Sequence, residues 1–252
     1  RSLSRTEHAR IQACMETANF VIYQLPADRL VSKLDIQSFG QQLGLYQLDH
    51  NLCADEESIS TLRAMQGKNK EYIPYTNKAL SWHTDGYYNK PEQRVRSFIL
   101  HCVRPAATGG ENCFLDPELV YIQLHDLDPQ FINALMHPET MTIPANETNG
   151  SQIRAAQTGP VFFIDPNSKH LHMRYTARTR SIEWRNDATT LAAVHALESI
   201  LHTSPHKLTI RLNAAQGVIS NNALHNRSAF HDDQARKQIR LMYRARYYDR
   251  IR

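Results

Sequence analysis

The chain has 252 residues, and 41% of them are hydrophobic, which is enough for one large domain with a sizeable core. Its formal net charge at pH 7 is only +4, and Lys and Arg are scattered apart from an Arg-rich C-terminal end, so nothing indicates a nucleic-acid-binding surface. The sequence has no apolar run of about 18 residues and no signal-like leader. We therefore expect neither a membrane span nor an export signal.

We expect a single domain over residues 1–252. Because the chain begins at Arg1 rather than at Met, we also expect that a piece upstream of it is missing. The four cysteines form no C-x-x-C pair and no other zinc-finger spacing, which predicts reduced thiols in a cytoplasmic protein; they are Cys14, Cys53, Cys102 and Cys113. The sequence leaves the oligomeric state open, with a homo-oligomer as one option.

The first third of the chain predicts helices and short strands in alternation. Helical spacing covers residues 6–17, a short apolar run of strand type follows at 20–23, and an amphipathic helix is predicted over 27–43. The polar stretches 49–58 and 68–71 are predicted loops beside the next strand. They could cover a site or be ordinary surface connections.

The rest of the chain is richer in predicted strands. Strands are predicted over 97–103, 207–212, 217–220 and 238–248, a hairpin joins 159–164 to 170–175, and helices are predicted within 117–136, interrupted near 126–129, and over 188–202. This order is compatible with a mainly β fold with helical additions. The architecture that we expect is a double-stranded β-helix, a jelly-roll barrel flanked by helices.

The triplet His83-Thr84-Asp85 follows a strand-like run, and a second candidate ligand, His225, lies far downstream. If the first run is a strand that leads into a turn, its alternation puts the side chains of His83 and Asp85 on one face. Two imidazoles and one carboxylate leave about three open positions on an octahedral metal, as a non-haem Fe(II) oxygenase requires. An H-x-D triplet alone is weak, because it arises by chance in many sequences.

A cationic strand near the C-terminus strengthens this interpretation. Alternation over residues 240–247 sends Arg240, Met242, Arg244 and Arg246 to one side of the predicted strand. A buried guanidinium fork suits a carboxylate, so this face could bind a dicarboxylate co-substrate beside the metal. If residues 226–236 form a connection, we expect His225 and Arg240 to lie on adjacent strands. The alternative is a solvated edge strand whose arginines prevent aggregation.

The order of four motifs resembles the taurine dioxygenase family of Fe(II)- and 2-oxoglutarate-dependent oxygenases. The motifs are H-x-D at residues 83–85, a Gly-Gly turn at 109–110, N-x-x-H-N-R-x-x-F at 222–230 and R-x-M-x-R at 240–244. The stretch 75–85 is especially similar to the branch that contains γ-butyrobetaine hydroxylase and trimethyllysine hydroxylase. No ligands for the small zinc-binding domain of that branch occur in residues 1–80, so within it the chain would be a shortened form.

The resemblance implies that His83, Asp85 and His225 bind Fe(II). It further implies that Arg240 pairs with the distal carboxylate of 2-oxoglutarate, and that Arg244 contacts either this co-substrate or an anionic group of the substrate. Where the family pattern has a Thr after the Gly-Gly turn and its acidic residue, this chain has Asn112, whose amide can still donate to the co-substrate. With O2, such a site hydroxylates an aliphatic C–H of a small molecule and releases succinate and CO2.

The residues around the triplet leave the substrate open. Trp82, Tyr87 and Tyr88, with Tyr72 and Tyr75, could form an aromatic cage for a betaine-like cation or could pack in the core. Spare arginines point instead to an anionic metabolite; they are Arg174, Arg178 and Arg180. The sequence therefore predicts a small polar substrate of either charge.

Two other classes of protein compete with the oxygenase. A non-catalytic jelly-roll binding module would not need three metal ligands together with Arg240. A zinc-dependent hydrolase could use two His and one carboxylate, but it has no need of a dicarboxylate-binding Arg and would place a general base beside the metal. Both classes fit the motifs less well than a dioxygenase does.

Overall fold

The structure of the protein is a computed structural model. The structure describes residues 2–26, 30–50, 58–64, 73–148, 151–166, 168–178 and 182–251. The predicted loop over 68–71 and most of the one over 49–58 lie outside these residues, as do Cys53, Tyr72 and Arg180. Within the described part, Cys14, Cys102 and Cys113 are free thiols.

Five α-helices are described, and each begins at a side chain that caps its free N–H groups. They are α1 (Arg5–Ala18), α2 (Lys33–Gln42), α3 (Pro117–Leu127), α4 (Pro129–Leu135) and α5 (Ala188–Thr203). Ser4 and Ser32 form capping boxes with Glu7 and Asp35, whereas Asp residues cap the other three helices. None of these described helices is long and apolar enough to cross a membrane.

The helices confirm most of the predicted helical segments. The segment 117–136 contains two helices, because Asp128 ends α3 and also caps α4, where Pro129 occupies the first helical turn. The helix predicted over 27–43 is shorter than expected. Its first turn is fixed by the Ser32 capping box, so the chain before Lys33 is not helical where it is described.

The strands of the first half are β1 (Phe20–Gln24), β2 (Ile59–Leu62), β3 (Leu80–His83), β4 (Ser97–Arg104), β5 (Thr108–Gly109), β6 (Asn112–Leu115), β7 (Met141–Ile143), β8 (Asn146–Thr148) and β9 (Ser151–Arg154). Those of the second half are β10 (Gln157–Gly159), β11 (Phe162–Ile164), β12 (Leu171–Met173), β13 (Glu183–Trp184), β14 (Leu208–Ile210), β15 (Gln216–Ser220), β16 (Leu224–Arg227), β17 (Phe230–His231) and β18 (Leu241–Tyr247). The protein is therefore mainly β with helical additions, as the sequence predicts.

Two antiparallel sheets dominate the fold. The larger has five strands in the order β1-β15-β4-β18-β2, and the other has four in the order β14-β6-β16-β3. Aromatic side chains meet between the sheets, since the rings of Phe20 and Phe114 lie 5.3 Å apart and those of Phe98 and His225 lie 4.8 Å apart. The two sheets thus share one core, with His225 inside it.

A second hydrophobic cluster lies under the helices α3, α4 and α5. It also takes in side chains of the hairpin β11-β12, which confirms the predicted hairpin and pairs Phe163 with His172. One expectation is wrong. His225 and Arg240 do not lie on adjacent strands, because β16 belongs to the four-stranded sheet and β18, just after Arg240, belongs to the five-stranded one.

Candidate active site

Two histidines meet at the paired strands β3 and β16. His83, the last residue of β3, lies opposite His225, and their ring centroids are 4.2 Å apart. The Nδ1 atom of His83 lies 2.9 Å from the carbonyl oxygen of Ser81, and that of His225 lies 2.9 Å from that of Ala223. Because a carbonyl only accepts, each Nδ1 carries the proton, and each Nε2 keeps a lone pair for a ligand.

Asp85 is held in place by the side chain of Asn222, three residues before His225. The Asp85 N–H donates to Oδ1 of Asn222 at 2.8 Å, and Nδ2 of Asn222 donates to the carbonyls of Asp85 at 2.9 Å and Val95 at 2.7 Å. Asn222 is buried and has a positive φ of 56°. This amide joins the turn after β3 to the segment that leads into β16.

The carboxylate of Asp85 lies between the two histidines and two arginines of β18. Arg244 donates from Nη1 to Oδ1 of Asp85 at 3.1 Å, and Nη1 of Arg246 lies 3.8 Å from the same oxygen. The other oxygen, Oδ2, is buried and has no hydrogen-bond partner among the described residues. One atom each from His83, Asp85 and His225 can be chosen so that all three lie within 4.8 Å of one another.

The electrostatics of the site favour the protonation states that a metal requires. Burial, together with the neighbouring His225, lowers the pKa of His83 to about 3, and burial also lowers the pKa of His225. Burial alone would raise the pKa of Asp85, but Arg244 and Arg246 outweigh it and hold this pKa below its usual range. Two neutral imidazoles and one ionised carboxylate with an unpartnered oxygen form a donor set that fits Fe(II).

A cavity with a cationic wall lies beside Arg240. Its lining includes Asn112, Cys102 and the two glycines of the Gly-Gly turn, Gly109 and Gly110. Arg240 is buried, and its Nη1 has no hydrogen-bond partner among the described residues. Burial lowers the pKa of Arg240 to about 10, so the guanidinium stays charged at neutral pH and lacks an anion.

Asn112 lines this cavity from β6, the strand that pairs with β16, which carries His225. It is buried on β6, opposite Arg227 and two residues from Phe114, which faces His225. Its Nδ2 makes only a long contact of 3.5 Å with the carbonyl of Gly110. Its amide is thus available to a ligand that extends from the histidines towards Arg240.

A second cavity has Asp85 itself in its wall. It is lined by Asp85, Arg94, His172 and Arg174, among other residues. The guanidinium of Arg174 donates to four backbone carbonyls, at distances of 2.6 to 3.3 Å. Arg174 therefore joins the walls of this cavity, and most of its donors are already used. Arg178, which the sequence also offers as an anion-binding residue, is exposed.

The candidate aromatic cage is divided between different surroundings. Trp82 packs into the cluster under the helices, and Tyr75 is buried in the core between the sheets. Tyr87 and Tyr88 stand edge to face, with ring centroids 5.1 Å apart. The hydroxyl of Tyr88 accepts from Nη1 of Arg246 at 3.1 Å.

Sequence reasoning missed a group of residues that supports Asp85. Arg246 pairs with the buried Asp49, and Tyr248 donates to Asp49 at 2.8 Å. The sequence placed Arg246 on a cationic strand face, but its partner Asp49 lies 197 positions earlier in the chain. Asn222 is the first residue of the N-x-x-H motif. Its position three residues before the candidate ligand His225 was the only indication of its role in the sequence.

Two buried histidines and one carboxylate, together with a cavity lined by an arginine whose Nη1 has no partner among the described residues, are the groups that a non-haem iron oxygenase with a dicarboxylate co-substrate needs. Residues 3–246 match the model of the taurine catabolism dioxygenase TauD, TfdA family. The chain belongs to this family. It is an Fe(II)- and 2-oxoglutarate-dependent dioxygenase, so the hydrolase and the non-catalytic module are no longer needed as alternatives.

The similar proteins include two that are named uridine-5'-phosphate dioxygenase. One, from a Streptomyces species, is 26% identical over 241 residues, which are 90% of this chain and 85% of that protein. The other, from an Amycolatopsis species, is 28% identical over 174 residues, and the match spans 64% of this chain and 60% of that protein.

A solved structure with a similar fold is the non-haem iron oxygenase OrfP in complex with Fe, succinate and (3S)-hydroxy-L-Arg. Its TM-score is 0.70 at 13% identity, and the match covers 97% of this chain and 80% of that one. At this identity the likeness concerns the fold alone.

Replacing Asn222 tests the support of Asp85. In Asn222→Ala, one buried N–H and two buried carbonyls lose their partner, so we expect unfolding to become easier by about 3 kcal/mol. We also expect weaker iron binding, because the turn that carries Asp85 is released. Chemical denaturation and anaerobic iron titration measure the two effects.

The matched control is Asn133→Ala, since Asn133 is exposed on α4 and its amide contacts only Gln130, at 3.4 Å. We expect this variant to unfold within about 0.5 kcal/mol of the wild type. Equal stability and iron affinity in the two variants would contradict the role given to Asn222.

Proposed function

We propose that His83, Asp85 and His225 bind the iron, and that the enzyme hydroxylates an aliphatic C–H of a small anionic metabolite. One observation carries the proposal: one ligand atom each from the buried His83, Asp85 and His225 can be chosen so that all three lie within 4.8 Å of one another. A separate cavity, lined by Arg240 and Asn112, offers a cation for the co-substrate. The strand pairing of His83 with His225 and the Asn222 clamp on Asp85 support the same assignment. We also propose that the two main sheets form a double-stranded β-helix around the site.

The co-substrate 2-oxoglutarate occupies the cavity of Arg240 in this proposal. The unpartnered Nη1 of Arg240 binds the distal carboxylate, and the amide of Asn112 donates to the same molecule. The ring of Phe230 lies 5.1 Å from the Arg240 guanidinium and steadies it. Asn112 and His225 lie on the paired strands β6 and β16. A co-substrate bound to Arg240 and Asn112 would therefore extend its keto-acid end towards the metal ligands.

Arg244 has a different role from that of Arg240. Its bond to Oδ1 of Asp85 holds this carboxylate so that Oδ2 stays free for the metal. From the sequence, Arg244 was expected to contact either the co-substrate or an anionic group of the substrate. We propose that Arg244 orients Asp85 first, while its unpartnered Nε can still face a bound anion.

The protein contributes positioning, neutral imidazoles and a dry site to the reaction. When bound, the iron with 2-oxoglutarate and O2 supplies the oxidation, and the co-substrate leaves as succinate and CO2. The carbonyls of Ser81 and Ala223 hold the Nδ1 protons, so each ring keeps one orientation. The burial of His83, Asp85 and His225 keeps bulk water away from the oxidation.

An anionic substrate agrees better with the surroundings of the site than a betaine does. The guanidinium groups of Arg246 and Arg154 lie 5.9 Å and 6.0 Å from the ring centroid of Tyr88, where a cage would hold the cation. Arg154, which bonds only to backbone carbonyls among the described residues, would repel a quaternary ammonium there, and Arg246, although paired with Asp49, occupies the same ring. Membership of the γ-butyrobetaine hydroxylase branch thus stays a prediction, and these arginines weigh against its type of substrate.

The relatives named uridine-5'-phosphate dioxygenase suggest one anionic candidate. A nucleoside phosphate carries aliphatic C–H bonds on its sugar and a phosphate group that arginines bind well. We propose uridine 5'-phosphate as the first substrate to test. Its sugar hydroxyls would meet uncharged polar residues in the cavity beside Asp85, such as Asn89 and Gln157.

The iron site can be tested by anaerobic titration with Fe(II) and 2-oxoglutarate. We expect the weak visible charge-transfer band of the chelate in wild type and its loss in Asp85→Ala, since two neutral ligands bind Fe(II) far less well than three ligands with a charge. The control Asp126→Ala removes a carboxylate that is 74% exposed and should keep the band. A wild-type protein without the band, or an unchanged band in Asp85→Ala, rules the assignment out.

The role of Arg240 is tested by the concentration of 2-oxoglutarate that half-saturates the same band. In Arg240→Gln a buried charge pair with the co-substrate is lost, so we expect this concentration to rise at least about 30-fold. Arg236→Gln is the control, because the Arg236 side chain is 83% exposed. If Arg240→Gln behaves like the control, another residue anchors the co-substrate.

The charge of the substrate is tested by succinate release in the presence of Fe(II), 2-oxoglutarate and O2. We expect uridine 5'-phosphate to stimulate release above the uncoupled background, and γ-butyrobetaine and glycine betaine to leave it unchanged. Mass spectrometry of the products checks for one added oxygen atom. Stimulation by the betaines alone would contradict the anionic assignment.

A further inference from the structure

The cavity beside Asp85 is lined by an arginine, Arg94, that has no part in the proposed metal site. Arg94 lies just before β4, and its guanidinium stacks 4.0 Å from the ring centroid of Phe163. Phe163 in turn lies 4.8 Å from the ring of His172, its partner on the hairpin β11-β12. Arg94, Phe163, His172 and Asp85 all line the same cavity.

Arg94 differs from the other arginines of this region because its charge is not paired. Arg96 binds Asp165 through two nitrogens at 2.9 Å and 3.0 Å, and Arg174 is bonded to backbone carbonyls. Within the part of the chain that the structure describes, the Arg94 side chain makes no hydrogen bond and has no carboxylate within 4.0 Å. Contact with the ring occupies none of the N–H donors of Arg94, so they are available to a ligand.

The remaining lining of the cavity adds no second cation that is free to bind. His172 is half-buried, and desolvation followed by the charges of Arg94, Arg250 and Arg96 lowers its pKa to about 3, so the ring is neutral. Asn89, Gln157 and Thr158 are polar without charge. The cavity therefore suits a molecule with one anionic group and several hydroxyl or carbonyl groups.

We propose that Arg94 is the specificity residue of the substrate cavity and binds a phosphate or sulfonate group of the substrate. A planar fork fixed on Phe163 matches two oxygens of such a group at once. The bound anion then holds the rest of the molecule along the cavity towards Asp85. This inference rests on the proposed function, because it names the group by which the same site selects its substrate.

The test compares anionic probes with their neutral counterparts by isothermal titration calorimetry on the anaerobic Fe(II) protein without 2-oxoglutarate. The pairs are uridine 5'-phosphate with uridine, and 1-propanesulfonate with 1-propanol. We expect wild type to prefer an anionic member, and Arg94→Gln to weaken its binding by about 10- to 100-fold while the neutral partner is unaffected. Arg94→Lys should keep part of the preference, since a point charge replaces the fork.

Arg10→Gln is the matched control, because Arg10 is exposed on α1 and its loss changes only the net charge. In turnover with the preferred anion, Arg94→Gln should raise KM and largely retain kcat. The chelate band with 2-oxoglutarate should stay unchanged, which also shows that the variant is folded.

Three results would overturn the inference. Wild type could bind no anionic probe better than its neutral partner, Arg94→Gln could keep the preference of wild type, or it could lose both members of a pair equally, as a purely structural role predicts. A failure of the proposed function is separate, since wild type would then lack the chelate band itself.

Discussion

The buried contact between Asp85 and Arg244 is the interaction on which the site depends. Asp85 follows β3 of the four-stranded sheet, whereas Arg244 lies on β18 of the five-stranded one. An isolated carboxylate in this core would be protonated, because burial opposes its charge. The guanidinium keeps it ionised and joins the two sheets at the same point. The charge that a metal requires is thus also a connection between the halves of the fold.

The arginines of the interior are sorted by what they bind. Arg246 has the carboxylate of Asp49, Arg244 has that of Asp85, and Arg227 donates to the carbonyls of Thr76 and Lys78. Arg240 differs from these three because its buried guanidinium makes no hydrogen bond or ion pair with any described residue, and its Nη1 is enclosed without a partner. Burying a cation without an anion is costly, so its presence is best explained by an anionic ligand.

The three residues that the sequence predicts as metal ligands come together in the fold, and local patterns account for part of this. Alternation placed His83 with Asp85, and the same rule placed Arg244 and Arg246 on one face of β18, from which both reach Asp85. The sequence could not show to which sheet each strand belongs. His225 and Arg240 are only 15 positions apart, yet β17 and the turn after it carry the chain from one sheet to the other. Sequence spacing alone does not specify such a crossing.

Hydrogen-bond acceptors were the other part that the sequence could not supply. From the sequence, Arg174 was a candidate for binding an anion. Its guanidinium instead donates to backbone carbonyls of three separate segments, which only the folded chain brings together. Arg94 gave no signal at all, because its stacking partner Phe163 belongs to a hairpin that lies far along the chain. A side chain's chemistry is readable from its type, whereas its availability depends on the neighbours that the fold provides.

The two cavities divide the functions of the site between different parts of the chain. The metal ligands and Arg240 lie on or beside strands of the two main sheets, whereas Phe163 and His172 come from the separate hairpin β11-β12. Substitutions in this hairpin can alter the substrate cavity without moving a ligand of the iron. Such a division allows one fold to serve several substrates, since function follows from the site rather than from the fold. The residues that distinguish the substrate of this protein are therefore best sought around Arg94, away from the metal.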